Sequence, residues 1–196
     1  MNQKTEWTVL NEAHEMLRST VRGVPADAWT NPTPCSEWNV TQVLQHAAGD
    51  QLGYAAFITG GPGPEEDSFS PSGTLGDTPE ATVDHATRAA AEAWATVPAD
   101  AQEVGVPIPP HKMSAEIGAG ACALDAAVHA WDIAVATGQP SPLTADMARA
   151  LMPAAKATIT DMLRQYGVYA APLETTGDDP VEALLRYTGR NPAWTP

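Results

Sequence analysis

The sequence predicts an all-α protein: a bundle of amphipathic helices with long loops and a short C-terminal helix. Apolar residues recur every three or four positions along several segments of the 196-residue chain. The 18 prolines and 15 glycines punctuate the chain between elements. The segment Leu124–Gly138 is almost entirely apolar, and its few ionisable side chains share one face of a helix. We therefore expect an up-and-down bundle with polar side chains inside it.

The first helix is predicted from about Thr5 to Arg22, where Gly23 ends it. His14 lies on this helix with no obvious partner, and we expect it to be partly exposed. The Pro-rich connection that follows carries Cys35. Nothing nearby in the sequence supplies an activating base, so we expect a structural or incidental thiol.

The second predicted helix, Val40–Thr59, has Ser36 or Asn39 as its cap and carries His46. Small residues such as Gly49 lie one turn from His46 and leave room around the imidazole. Such room is typical of a cavity, and also of a close contact between helices in which the histidine only forms a hydrogen bond. This helix alone does not decide between the two interpretations.

Residues 61–77 have the composition of a mobile loop, which acts either as a lid or as solvent-exposed coil. Thr78 then caps a third helix, which starts at Pro79 and continues to Pro98. The segment Ala99–Met113 has the Pro-rich, alternating pattern of an extended excursion or a short edge strand.

The fourth predicted helix, about Ser114–Thr137, contains the longest weakly polar stretch of the chain. The ionisable residues inside it argue against a membrane span. A further helix is expected from Thr144 to Tyr166, kinked or divided at Pro153. Asp179 starts the short C-terminal helix.

Three side chains on two of these helices form a candidate metal site. Asp125 and His129 are one turn apart on an apolar helix, where an unpaired charge is costly. With His46 they make a two-histidine, one-carboxylate set that leaves a fourth position open, the arrangement of a catalytic divalent site, most simply zinc. Asp50 and Asp132 are expected to orient the two rings as acceptors. Alternatively, Asp125 and His129 only pair with each other and fix helix packing.

Composition excludes several classes of protein. The formal net charge of −14 disfavours nucleic acid and anionic membranes as partners. Two cysteines do not make a disulfide framework, and the N-terminus has no secretory pattern, so we expect a soluble, cytoplasmic protein. The length fits a single domain, residues 1–196, acting as a monomer or a homodimer. No dinucleotide, P-loop or common serine hydrolase motif occurs in the sequence.

Four segments resemble, in their order and spacing, the actinobacterial DinB-like proteins: TPCSEWNV, LQHAAG, LDAAVHAWDIAVATG and LLRYTGRNPAW. The likeness is greatest to the mycothiol-dependent maleylpyruvate isomerase family and its short metal-binding relatives, and it spans nearly the whole chain. It implies a DinB-like up-and-down four-helix bundle that holds a divalent metal. Carried over by position, the ligands are His46, Asp125 and His129. The isomerase has glutamate in place of Asp125, and a C-terminal domain with a catalytic arginine that we do not expect here.

The ligand set and the resemblance together predict a divalent-metal-dependent enzyme that uses a low-molecular-weight thiol such as mycothiol. The metal is most simply Zn²⁺, with Ni²⁺ or another ion as alternatives. The thiolate would transfer to a small electrophilic metabolite or assist its isomerisation. Two alternatives stay open: a metal-dependent hydrolase of small molecules, and a non-catalytic protein that binds a metal or a metabolite.

Overall fold

The computed structural model describes residues 7–174 and 177–196. Its helices are α1 (Thr8–Arg22), α2 (Val40–Thr59), α3 (Pro79–Trp94), α4 (Ala115–Ala136), α5 (Ala145–Thr158), α6 (Asp161–Gln165) and α7 (Pro180–Tyr187). Strands β1 (Val104–Gly105) and β2 (Lys112–Met113) pair antiparallel within the segment predicted to be extended. The all-α prediction is therefore confirmed. The predicted helix start at Thr5 lies outside the described residues.

Helices α1 to α4 form the four-helix bundle. α1 packs against α3 and α4, and α2 packs against the same two helices. α5 packs on α4, and α7 packs on α5. By length and composition α4 could cross a membrane, but 83% of its most apolar 18-residue window is buried inside the fold. Its apolar character is therefore accounted for by its place in the bundle core.

Side-chain caps start the helices where the sequence predicts them. At α2 the Asn39 side chain accepts from the Gln42 N–H, and the Gln42 side chain accepts from the Asn39 N–H. This reciprocal pair satisfies two backbone donors that would otherwise have no partner. At the other predicted starts the caps are Thr78, Ser114, Thr144 and Asp179.

The helix after Thr144 breaks later than expected. α5 continues through Pro153 to Thr158, and Thr160 caps the separate α6. Pro153 and Arg149, whose carbonyl loses its helical partner to the proline, both lie on the exposed face of α5. Solvent can satisfy that carbonyl, so the proline does not divide the helix.

Candidate metal centre

A cavity of about 390 Å³ lies beside α2 and α4, and its walls include the segments that follow α5 and α7. α2 places His46 in this cavity, and α4 places Asp125 and His129 there. Because α2 and α4 pack against each other, residues 79 or more positions apart in the chain become neighbours. Both histidines are buried at 6% exposure, so their surroundings are largely protein.

Three potential ligand atoms converge at this point. His129 Nε2 lies 3.3 Å from Asp125 Oδ1, and His46 Nε2 lies 3.8 Å from the same oxygen. The two imidazole rings meet edge to face with their centroids 4.7 Å apart. One atom from each side chain lies within 4.8 Å of the other two, close enough for all three to contact one ion. The structure therefore brings the predicted set together, and metal binding by it stays a prediction.

Asp132 orients His129, as expected. His129 Nδ1 donates to Asp132 Oδ2 at 2.9 Å, which directs Nε2 toward Asp125. Arg190 Nη2 donates to the same Asp132 oxygen at 2.9 Å. Burial would raise the pKa of Asp132, but the Arg190 guanidinium and the hydrogen bond from His129 outweigh burial and hold that pKa well below its usual range. Asp132 therefore remains a carboxylate acceptor.

The prediction that Asp50 orients the His46 ring is wrong. Asp50 lies on the Nε2 side of the ring, with Oδ2 3.8 Å from that nitrogen, and does not accept a hydrogen bond from Nδ1. His46 Nδ1 instead donates to the backbone carbonyl of Ser68 at 2.8 Å. The ring also contacts Trp38 and Phe69, at centroid distances of 4.7 and 5.4 Å. The loop between α2 and α3 thus orients His46, which leaves Asp50 facing the cavity.

The residues that hold Asp125 were missed in the sequence. Gln51 Nε2 donates to Asp125 Oδ2 at 3.1 Å, and Gln51 Oε1 accepts from His14 Nε2 at 2.8 Å. The prediction of a partly exposed His14 is wrong, because its exposure is 1% and burial lowers its pKa to about 4. A signal was present: His14 falls between Leu10 and Leu17 on the buried stripe of α1.

The two site histidines have opposite pKa shifts. Burial and the nearby His129 lower the pKa of His46 to about 4. Burial also acts to lower the pKa of His129, but the Asp125 charge and hydrogen bonds to Asp125 and Asp132 outweigh it and raise that pKa well above its usual value. The cluster thus favours one positive charge beside Asp125. A divalent cation bound by both Nε2 atoms would supply positive charge beside Asp125, so these residues fit such an ion.

Cys35 also lies in this cavity, although its sequence neighbours supply no base. Its Sγ donates to Asp132 Oδ2 at 3.3 Å and lies 3.5 Å from Arg190 Nη2. Cys35, His129 and Asp132 form a second group of atoms close enough for one ion. The Arg190 guanidinium already neutralises Asp132, so a metal cation there would face a fixed positive charge. The geometry favours the group around Asp125.

Residues 10–134 match the family described as the mycothiol maleylpyruvate isomerase N-terminal domain. Two uncharacterized proteins of Mycobacterium tuberculosis, from strains CDC 1551 and H37Rv, are each 28% identical over 185 residues, which cover 91% of this chain and 95% of theirs. No solved structure matches the chain. The chain therefore belongs to the mycothiol maleylpyruvate isomerase N-terminal domain family, a mycothiol-related family of DinB-like helical bundles.

Proposed function

We propose that this protein is a divalent-metal-dependent enzyme in which a low-molecular-weight thiol, such as mycothiol, attacks a small electrophilic metabolite. His46, Asp125 and His129 are proposed as the metal ligands, and their convergence in one cavity is the observation that carries the proposal. A bound divalent ion, most simply Zn²⁺, would lower the thiol pKa and provide thiolate at neutral pH. The family description supports a mycothiol-related co-substrate.

The chain's own residues organise this chemistry. Asp132 fixes the His129 ring, the Ser68 carbonyl fixes the His46 ring, and Gln51 fixes one oxygen of Asp125. Each ring therefore keeps its Nε2 atom directed at the centre, and a bound metal ion would take the place of the proton on His129 Nε2. Trp38 and Phe69 cover His46 and exclude water from one side of it.

The proposed reaction forms one sulfur–carbon bond. The thiol proton leaves to solvent before attack. In S-transfer a leaving group departs with its electron pair. In isomerisation the sulfur adds to a double bond, rotation follows, and expulsion of the sulfur restores the double bond. We also propose that the enzyme works in the cytoplasm on small molecules, as a monomer or homodimer.

Metal analysis by mass spectrometry tests the ligand set. Untagged wild type, His129→Ala and Cys35→Ser proteins are loaded with Zn²⁺, desalted and measured together. We expect near-stoichiometric zinc in wild type and in Cys35→Ser, and a loss of more than about tenfold in His129→Ala. Zinc retained in His129→Ala, or lost in Cys35→Ser, would contradict the ligand set. Thiol-dependent turnover that persists in His129→Ala would contradict the mechanism.

A further inference from the structure

The cavity beside the candidate metal centre has few positive charges. Among its described lining residues, and leaving the histidines aside, the acidic and basic side chains are Glu37, Asp50, Asp125 and Arg190. Arg190 is committed to protein partners: Nε and Nη2 donate to Asp132, and Nη1 donates to the Thr188 carbonyl. In the part of the chain that the structure describes, the cavity therefore offers no free lysine or arginine to an anionic group.

The charge of a loaded site would already be balanced. The two positive charges of a divalent ion would be matched by the Asp125 carboxylate and by the thiolate of the co-substrate, and Asp50, which lies 3.8 Å from His46 Nε2, adds no positive charge. An electrophile with two carboxylates, as in maleylpyruvate, would then meet Glu37 without a compensating cation. Glu37 is exposed, so solvent weakens its repulsion of an anionic group, but no free basic side chain of the cavity offsets that repulsion.

Large apolar side chains also line this cavity. Phe69, Tyr166 and Val168 line it, and they remain 53%, 79% and 37% exposed. Ile108 lines the same cavity from the segment between the two strands. Exposed apolar groups beside a concave site are typical of a binding surface for an apolar group of a ligand.

We propose that the electrophile is uncharged or cationic, carries an apolar group, and is not a dicarboxylate. This inference rests on the proposed function, because it assigns the class of molecule that reaches the same centre. In the proposed complex the apolar group of the electrophile packs against Tyr166 and Val168, and its carbon that receives sulfur faces the metal centre. The lack of a free lysine or arginine in the described lining supports the charge of the electrophile, and the exposed apolar side chains support its apolar group.

Binding of three metal-directed probes to the zinc-loaded full chain tests this substrate class. The probes are para-carbamoylbenzohydroxamate and its para-carboxylate and para-aminomethyl analogues, which are similar in size and differ mainly in the charge at the outer end. Isothermal titration should give dissociation constants about tenfold lower for the neutral and cationic probes than for the carboxylate. Glu37→Gln should narrow this gap by about threefold. Asp84→Asn, the same charge change at an exposed α3 position outside the cavity, should leave the gap unchanged.

A second variant tests the apolar side. Tyr166→Ser should weaken benzohydroxamate binding by about threefold and leave acetohydroxamate, which lacks the ring, unchanged. Equal or tighter binding of the carboxylate probe by wild type overturns the substrate class and leaves the metal site standing. If Glu37→Gln leaves the ratio of the dissociation constants of the carboxylate and neutral probes unchanged, the substrate class is also overturned. Absence of zinc from the same samples, measured in parallel, overturns the proposed function together with the substrate class.

Discussion

At the residue scale, the two oxygens of Asp125 have separate roles. Oδ1 faces the Nε2 atoms of both site histidines, while Oδ2 accepts a hydrogen bond from Gln51. Gln51 is itself held by His14, so α1 and α2 are linked through the core to a residue of α4. A buried network of this kind fixes a ligand only while every member is satisfied. The neutral state of His14 therefore supports the position of Asp125.

His14 makes the stability of the metal-free protein depend on pH. Its pKa is lowered to about 4 by burial, against an ordinary value near 6.5, so below pH 6.5 the unfolded chain binds a proton that the folded protein does not. Stability is therefore lost as pH falls from 6.5 toward 4. Between pH 6.5 and 5 this residue should lower the free energy of unfolding by about 1.5 kcal/mol.

Urea unfolding of metal-free wild type, His14→Asn and His111→Asn at pH 6.5 and 5 measures this effect. His14→Asn should lose about 1.5 kcal/mol less than wild type across the interval. The control is His111→Asn, the same substitution at an exposed residue between the strands and outside the network of His14. Parallel dependences in all three proteins would show that His14 is already protonated or not buried as described.

At the element scale, the loop of residues 61–77 is anchored to α2. Gln42 Nε2 donates to the Pro71 carbonyl, and Gln45 Oε1 accepts from the Gly73 N–H. The Ser68 backbone carbonyl accepts a hydrogen bond from His46 Nδ1. The sequence left this segment as either a lid or exposed coil. The structure shows it packed over the helix that carries His46.

Gly49 allows this loop to approach α2. A Cβ at Gly49 would overlap Ser68 Oγ, whereas one at Gly53 would meet only Pro107 side-chain atoms at 3.5 Å or beyond. Gly53→Ala should therefore gain up to about 1 kcal/mol in helix stability. Gly49→Ala should lose part of that gain by displacing Ser68, with faster hydrogen exchange in residues 61–77 and weaker zinc binding. Equal exchange and zinc affinity in the two variants would show that the loop does not depend on this glycine.

At the scale of the whole molecule, the C-terminal segment completes the site. The family match ends at residue 134, but Arg190 after α7 forms a buried ion pair with Asp132 on α4. α7 also packs on α5, which packs on α4. We therefore propose that residues 1–196 form one cooperative domain. Urea unfolding followed by far-UV circular dichroism and by tryptophan fluorescence should give coincident single transitions, and two separated transitions would contradict it.

Arg190→Met tests whether the segment after α7 unfolds together with the helical bundle. The substitution leaves the Asp132 charge buried without its partner. The free energy of unfolding should therefore fall by about 3 kcal/mol, measured with both probes in one transition. Arg149→Met removes only an exposed ion pair with Asp146 and should cost less than about 0.5 kcal/mol. A shift of the fluorescence transition alone in Arg190→Met would indicate that α7 unfolds independently.

Local patterns in the sequence predicted most of the helices and the candidate ligands. The bounds of α2 and α4 follow from local periodicity and caps, because hydrogen bonds within a helix join residues close in the chain. The pair Asp125 and His129 is visible for the same reason, since i and i+4 share one face. His46 joined them through the helix pattern and the family resemblance.

The contacts that hold those ligands join distant parts of the chain. The pairs His14–Gln51, His46–Ser68 and Asp132–Arg190 each join residues more than 20 positions apart. Local patterns report which face of a helix is buried, but not which distant donor reaches a given acceptor on that face. A buried polar group must find its partner through space. For that reason the carbonyl on His46, the network behind Asp125 and the partners of Cys35 became visible only once the helices were packed.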